Sequence, residues 1–237
     1  MNSTALRNIW VERFRLLASG NSSGSHALAR KLDLCKARTP CGCAACPLCH
    51  ATWTKAVAEA LECHLARFEK LWLVTVILSD PELRQDKLSN IDPRPVVQRT
   101  RMVLRRHGLS GRIMLGALEA DWQETDGVWE PHIHLLIAGE KPDVAKLKAR
   151  LRERRGDVYR PVQVKAVDNL PGAIAYVLKM SSKRKVRSRT NGRIQTYRYP
   201  LRGKRLQESL RWYGRPPAHF ALLQGLRISG DELKLLL

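Results

Sequence analysis

The sequence predicts an α+β fold: a ferredoxin-like antiparallel sheet with helices on one face, preceded by a cysteine-rich element. Three observations predict it. An apolar run, LWLVTVIL over residues 71–78, has the length and content of a buried strand. Two further strand-like segments, GRIMLGALEADWQ and EPHIHLLIA, flank ETDGVW, whose Asp126-Gly127 dipeptide is a hairpin signal. Helical patterns lie on either side of that hairpin. The resulting order is strand, helix, strand, strand, helix, strand, then helix, as in a split βαβ arrangement.

The elements follow in chain order. ALRNIWVERFRLLA reads as a helix, and SGNSSGSHA after it as a flexible connection. Cysteines crowd residues 35–49. ATWTKAVAEALECHLARFEK has helical periodicity through Val57, Leu61, Leu65 and Phe68. The first strand and a polar connection come next, then the helix PVVQRTRMVLRRHG, with Gly108 as its C-terminal stop. After the hairpin, KPDVAKLKARLRERRG predicts a basic amphipathic helix, RPVQVKAV a strand, and NLPGAIAYVLKMSSK a helix with Pro171 in its first turn. Residues 181–205 hold ten basic residues and no acidic one, and are expected to be mobile or ordered on a polyanion. LQESLRWYGRPPAHFALLQGL returns to apolar patterning and should pack on the domain. The divisions expected are residues 1–70, 71–182 and 183–237.

Composition narrows the partners. The chain has 237 residues, with 42 Lys and Arg against 22 Asp and Glu, a net charge of +20. Such a surface favours a polyanion through release of counterions from phosphates. Lys183, Arg184, Lys185, Arg187 and Arg189 are the expected phosphate contacts. No apolar run is long enough to span a bilayer, and the N-terminus lacks a charged start followed by an apolar stretch. A cytoplasmic protein without a membrane partner is expected.

His132 and His134 lie two apart on a strand, so both imidazoles project from one face. A turn at Thr125–Val128 would set Glu119 opposite His134 and Asp121 opposite His132, with allowance for a register slip. Two imidazoles and a carboxylate leave open coordination positions for water and a phosphate oxygen. A divalent ion held there could polarise a phosphodiester. Tyr176 and Lys179 lie three apart on one face of the later helix. A phenol can attack phosphorus when a nearby cation steadies the phenolate. Tyr159 and Tyr197 are further candidates; Tyr197 and Tyr199 lie in the basic tract, where stacking on nucleic-acid bases is the better reading.

Five of six cysteines fall within residues 35–49. A reducing compartment would leave their thiols free, which favours a metal over disulfides. Cys41, Cys46 and Cys49 have C-x4-C-x2-C spacing, with Pro47 in the last turn. A tetrahedral Zn²⁺ site needs a fourth ligand: Cys35, Cys43 or His50. Cys35 is preferred, because Cys43 is too near Cys41 in sequence for easy chelation. The role expected is structural.

Together these segments resemble rolling-circle replication initiators, of the plasmid Rep type, within the HUH endonuclease superfamily. LWLVTVILSD, with Thr75, resembles the first motif of that family; GALEADWQETDGVWEPHIHLLIAG the second; AIAYVLKMSSK the third; and CGCAACPLCHATWTKA the cysteine-rich element before the first. The resemblance spans roughly residues 35–185. It implies the HUH nuclease fold, with His132, His134 and Glu119 holding Mg²⁺ or Mn²⁺, Tyr176 as nucleophile and Lys179 as its helper. It also implies a single-stranded or cruciform DNA origin as substrate and a host helicase as partner. Many such initiators carry an acid one helical turn before the tyrosine; here Gly172 holds that place. An HUH transposase with the same chemistry and a non-catalytic zinc-containing nucleic-acid-binding protein are the alternatives.

Overall fold

The computed structural model describes residues 3–78, 83, 85–106, 113–140, 162–190, 193–223, 226–229 and 232–235. The basic helix expected over 141–156, Gly108 and Tyr159 fall outside the described residues. Among the described residues no helix is long and apolar enough to cross a membrane.

The fold is mixed α+β, around one curled sheet. Its strands are β1 (Leu71–Ile77), β2 (Ile113–Gln123), β3 (Val128–Ala138), β4 (Val162–Ala166), β5 (Lys183–Thr190), β6 (Arg193–Pro200) and β7 (Ala221–Leu223). They are ordered β4-β1-β3-β2-β5-β6, with β7 also on β2. The first four pair antiparallel throughout. β5 joins β2 in parallel, so the sheet is mixed and not wholly antiparallel as expected. The reason is local. β7 takes the early part of β2's outer edge at Leu115–Ala117, and β5 takes the end of it at Trp122 and Gln123. A separate hairpin, β8 (Leu226–Ser229) with β9 (Glu232–Leu235), follows.

The helices are α1 (Ser3–Ala18), α2 (Ser23–Asp33), α3 (Pro47–Leu65), α4 (Pro93–Arg106), α5 (Leu170–Val177) and α6 (Gly203–Trp212). Where a flexible connection was expected, the serines start α2: Ser22 is its N-cap and accepts a hydrogen bond from Ser25 N at 3.2 Å. α6 and β7 pack as expected of the apolar C-terminal region, burying Leu210, Trp212, Phe220 and Leu222.

The basic tract is also ordered. Residues 183–200 supply the β5–β6 hairpin. Lys185 is buried, with its ammonium 3.0 Å from Asp121 and 3.7 Å from Glu130. Arg187 bridges Asp126 and Glu130. Lys183 N donates to Asp121 at 2.7 Å, which fastens the start of β5 to β2. The expectation of a mobile tract fails because carboxylates elsewhere on the sheet give its charges partners inside the protein. Lys183 is exposed and Arg184 half-exposed, and Arg189 lies in β5.

Candidate active site and metal centres

The β2–β3 hairpin turns at Glu124–Gly127, with Gln123 opposite Val128 and Gly127 at φ +65°. That turn begins one residue earlier than expected, so every pair shifts by two. Glu119 faces His132, not His134, and Asp121 faces Glu130. A shift of two preserves side-chain parity. Glu119, His132 and His134 therefore still share one face.

The three donors converge. Glu119 Oε2 lies 3.5 Å from His132 Nε2 and 3.2 Å from His134 Nε2. Each outer nitrogen is held in place. Thr75 Oγ1 on β1 lies 2.9 Å from His134 Nδ1, and the Glu130 carbonyl 3.4 Å from His132 Nδ1. Both Nε2 atoms therefore turn toward Glu119, in the orientation that metal-binding histidines take from such partners. His134 Nε2 is buried and, with the Glu119 carboxylate at 3.2 Å, makes no hydrogen bond of its own. Desolvation lowers the His134 pKa to about 4, which keeps this imidazole neutral. A buried, neutral, unpartnered nitrogen beside a carboxylate fits a divalent ion. These three residues could hold one, with all donor atoms within 4.8 Å of one another.

Burial would raise the Glu119 pKa, but the imidazoles of His132 and His134 and the charge of Lys179 outweigh it and keep the carboxylate ionised. Lys179 Nζ lies 2.5 Å from Oε2, and Ser181 N donates to Oε1 at 3.1 Å. The turn after α5 makes this grip possible. Met180 takes a left-handed conformation, φ +41°, uncommon for a residue other than glycine. It brings Lys179 and Ser181 to the same carboxylate.

Tyr176 joins the site from α5. Its ring centroid lies 4.7 Å from that of His134, and Lys179 Nζ lies 4.2 Å from the Tyr176 centroid. The residue is 38% exposed. Desolvation and the charge of Glu119 raise the phenol's pKa, and Arg198 works in the opposite direction. Asn169 caps α5 through Gly172 N at 3.0 Å. A Cβ at Gly172 would meet that capping side chain at 3.0 Å, so an acid here would disturb the cap.

The second donor group is Cys35, Cys41, Cys46 and Cys49, the expected set. Sulfur separations include 3.5 Å for Cys35–Cys49, 3.6 Å for Cys41–Cys49 and 3.7 Å for Cys35–Cys46. These four thiols could hold a metal ion. Cys46 is the N-cap of α3 and Cys49 lies in its first turn. Cys43 Sγ lies 3.4 Å from Cys41 but does not complete the four-sulfur group. Contact with Cys43 and Cys46 lowers the Cys41 pKa, whereas Cys43 and Cys46 are raised, chiefly by the same contact with Cys41. His50 turns away to the Leu178 carbonyl, 2.8 Å from its Nε2, and so links α3 to the end of the tyrosine helix.

Several participants escaped sequence reasoning. The Ser181 amide and the Met180 turn carry no side-chain signal. Lys185 was read as a phosphate contact, and only the sheet pairing reveals Asp121 and Glu130 around it. No family model, curated protein or solved structure matches this chain.

Proposed function

We propose that this protein is a metal-dependent DNA endonuclease and strand transferase of the HUH type, acting on one strand as a rolling-circle replication initiator does. The observation that carries the proposal is the placement of Tyr176 against His134 and Lys179, beside a carboxylate and two imidazoles that suit a cation. The β4-β1-β3-β2 order of the first four strands supports a ferredoxin-like core. The net charge of +20 supports a nucleic-acid substrate.

In this reading Tyr176 Oη attacks phosphorus and the P–O3′ bond breaks. The products are a 5′-phosphotyrosine and a free 3′-hydroxyl, whose oxygen gains a proton as the phenol loses its own. The number of phosphoester bonds is conserved, so the reverse reaction rejoins ends. Lys179 steadies the developing phenolate and, through Glu119, fixes the end of α5. Thr75 and the Glu130 carbonyl orient the imidazoles. Mg²⁺ or Mn²⁺ on Glu119, His132 and His134 would make the phosphate more electrophilic. The four cysteines suit a closed structural Zn²⁺ site.

The test is a labelled single-stranded oligonucleotide library incubated with Mn²⁺ and resolved under denaturing conditions. A covalent adduct is expected, lost in Tyr176→Phe while DNA affinity is retained. An adduct that persists in that variant assigns the wrong nucleophile. Absence of any adduct with the wild-type chain favours a non-catalytic binding protein.

A further inference from the structure

β6 is the outermost strand of the main sheet, and its two faces carry different chemistry. Arg198 stands opposite Lys185, on the face that carries Asp121 and the candidate active site. Tyr197 and Tyr199 alternate to the other face, 45% and 42% exposed. Two residues apart on a strand means roughly 6.6 Å between them. That is close to the repeat of an extended, unstacked single strand.

Beside Tyr199 opens a cavity of about 480 Å³, lined by Glu124, Arg184, Tyr199, Arg202 and Arg205 over Pro200 and Leu201. Its cations are arranged around aromatic faces. Arg184 Cζ lies 5.1 Å from the Tyr199 centroid, and Arg205 Cζ lies 3.5 Å from that of Trp122. Arg205 is fixed further by the Asp86 carbonyl at 3.2 Å and Glu208 at 2.8 Å. Arg184 reaches Glu124 at 3.9 Å, and Arg202 is exposed. The cavity therefore combines the ring of Tyr199, which is 42% exposed, with Arg184 beside it and the exposed Arg202.

We propose that Tyr197, Tyr199 and the arginine-lined cavity bind single-stranded nucleic acid, with a base stacked on Tyr199 and its phosphate held by Arg184 and Arg202. This deepens the nicking proposal and rests on it for the identity of the strand. The strand would cross the β6 edge, from Arg198 on the active-site face to the tyrosines on the other. Stacking tolerates any base, so the site holds the strand without reading its sequence.

Anisotropy of a labelled oligothymidylate, measured with the full-length chain and no added Mg²⁺ or Mn²⁺, tests this apart from the chemistry. Tyr199→Ala should weaken binding roughly 5- to 100-fold, and Tyr199→Phe should restore it. Replacing Arg184 and Arg202 by Ala should lower the salt slope by about 0.7 per lost contact. An unchanged affinity in Tyr199→Ala, or the same loss in the Phe and Ala variants, overturns the proposal. So does a dimer that Tyr199→Ala dissociates, because the edge would then be a subunit interface. If the wild type forms no adduct yet its binding depends on Tyr199, the nicking proposal fails and this one stands.

Discussion

The cysteine cluster and the Glu119–His132–His134 group each gather their donor atoms within 4.8 Å, but by different routes. The cysteines come from one stretch of fifteen residues, 35–49, and two of them use the first turn of a helix. Four sulfurs can surround an ion completely and leave nothing for substrate. The other group is assembled from two strands, steadied by a third through Thr75, and gripped by Lys179 from the turn after α5. Its three donors are buried, and they would leave an ion with coordination positions unfilled. A closed soft set fits support; an open set of imidazole and carboxylate fits chemistry.

The largest effect expected follows from that contrast. Replacing Cys46 and Cys49 together by Ser should unfold the N-terminal segment, because the cluster loop is tied to the domain by Ala44 N to Arg215 O and Ala45 N to Tyr213 O. Structural zinc supplies about 10–16 kcal/mol in small isolated domains, which bounds the loss from above. Circular dichroism melting should show a lower midpoint for this variant. Leaving out Mg²⁺ and Mn²⁺, which should prevent adduct formation, should leave the wild-type midpoint nearly unchanged. Equal destabilisation by both treatments would erase the division between a structural and a catalytic site.

Next in size is Lys185→Met, which removes the cation from a buried cluster holding Asp121 and Glu130. Leaving buried carboxylates without it should cost about 3–5 kcal/mol, read by urea denaturation. If stability is unchanged and DNA affinity falls instead, Lys185 is a phosphate contact after all.

The two sites also differ in how legible they were. The four-cysteine group could be read from spacing, since chelation within one loop would depend on local chain geometry. His132 and His134 could be read from strand parity, which survives even a misplaced turn. Glu119 was found on the right face with the wrong partner, because parity repeats every two residues and the turn residue that sets register was misjudged by one. The grip of Lys179 and Ser181 on Glu119 was not legible; it depends on a backbone angle at Met180 that its side chain does not advertise. The basic tract misled for a related reason. Charge in a sequence carries no address, and Lys185 and Arg187 find theirs only when β5 joins β2 in parallel. The sheet's first four strands were legible from element order, but its extension by β5, β6 and β7 was not.

A smaller effect sharpens the open site. Thr75→Val keeps the shape of the β1 side chain and removes the oxygen 2.9 Å from His134 Nδ1. Losing such a supporting partner should weaken metal affinity about 10- to 100-fold, seen as a shift of the Mn²⁺ concentration that half-saturates adduct formation. Adduct yield at saturating Mn²⁺ should recover. Failure to recover would mean that Thr75 touches the substrate itself.

The smallest effect lies at the start of α5. Asn169→Ala removes the cap on Gly172 N and should cost about 1 kcal/mol of stability. The consequence for chemistry depends on what holds the other end of the helix. Lys179 and Ser181 on Glu119, with His50 on the Leu178 carbonyl, already anchor that end from two directions. Tyr176 lies one turn from those anchors and two turns from the cap. The variant should therefore melt earlier while forming adduct at nearly the wild-type rate. A large loss of adduct with little change in melting would place control of Tyr176 at the start of the helix instead, and would weaken the case that Glu119 both serves the cation site and positions the nucleophile.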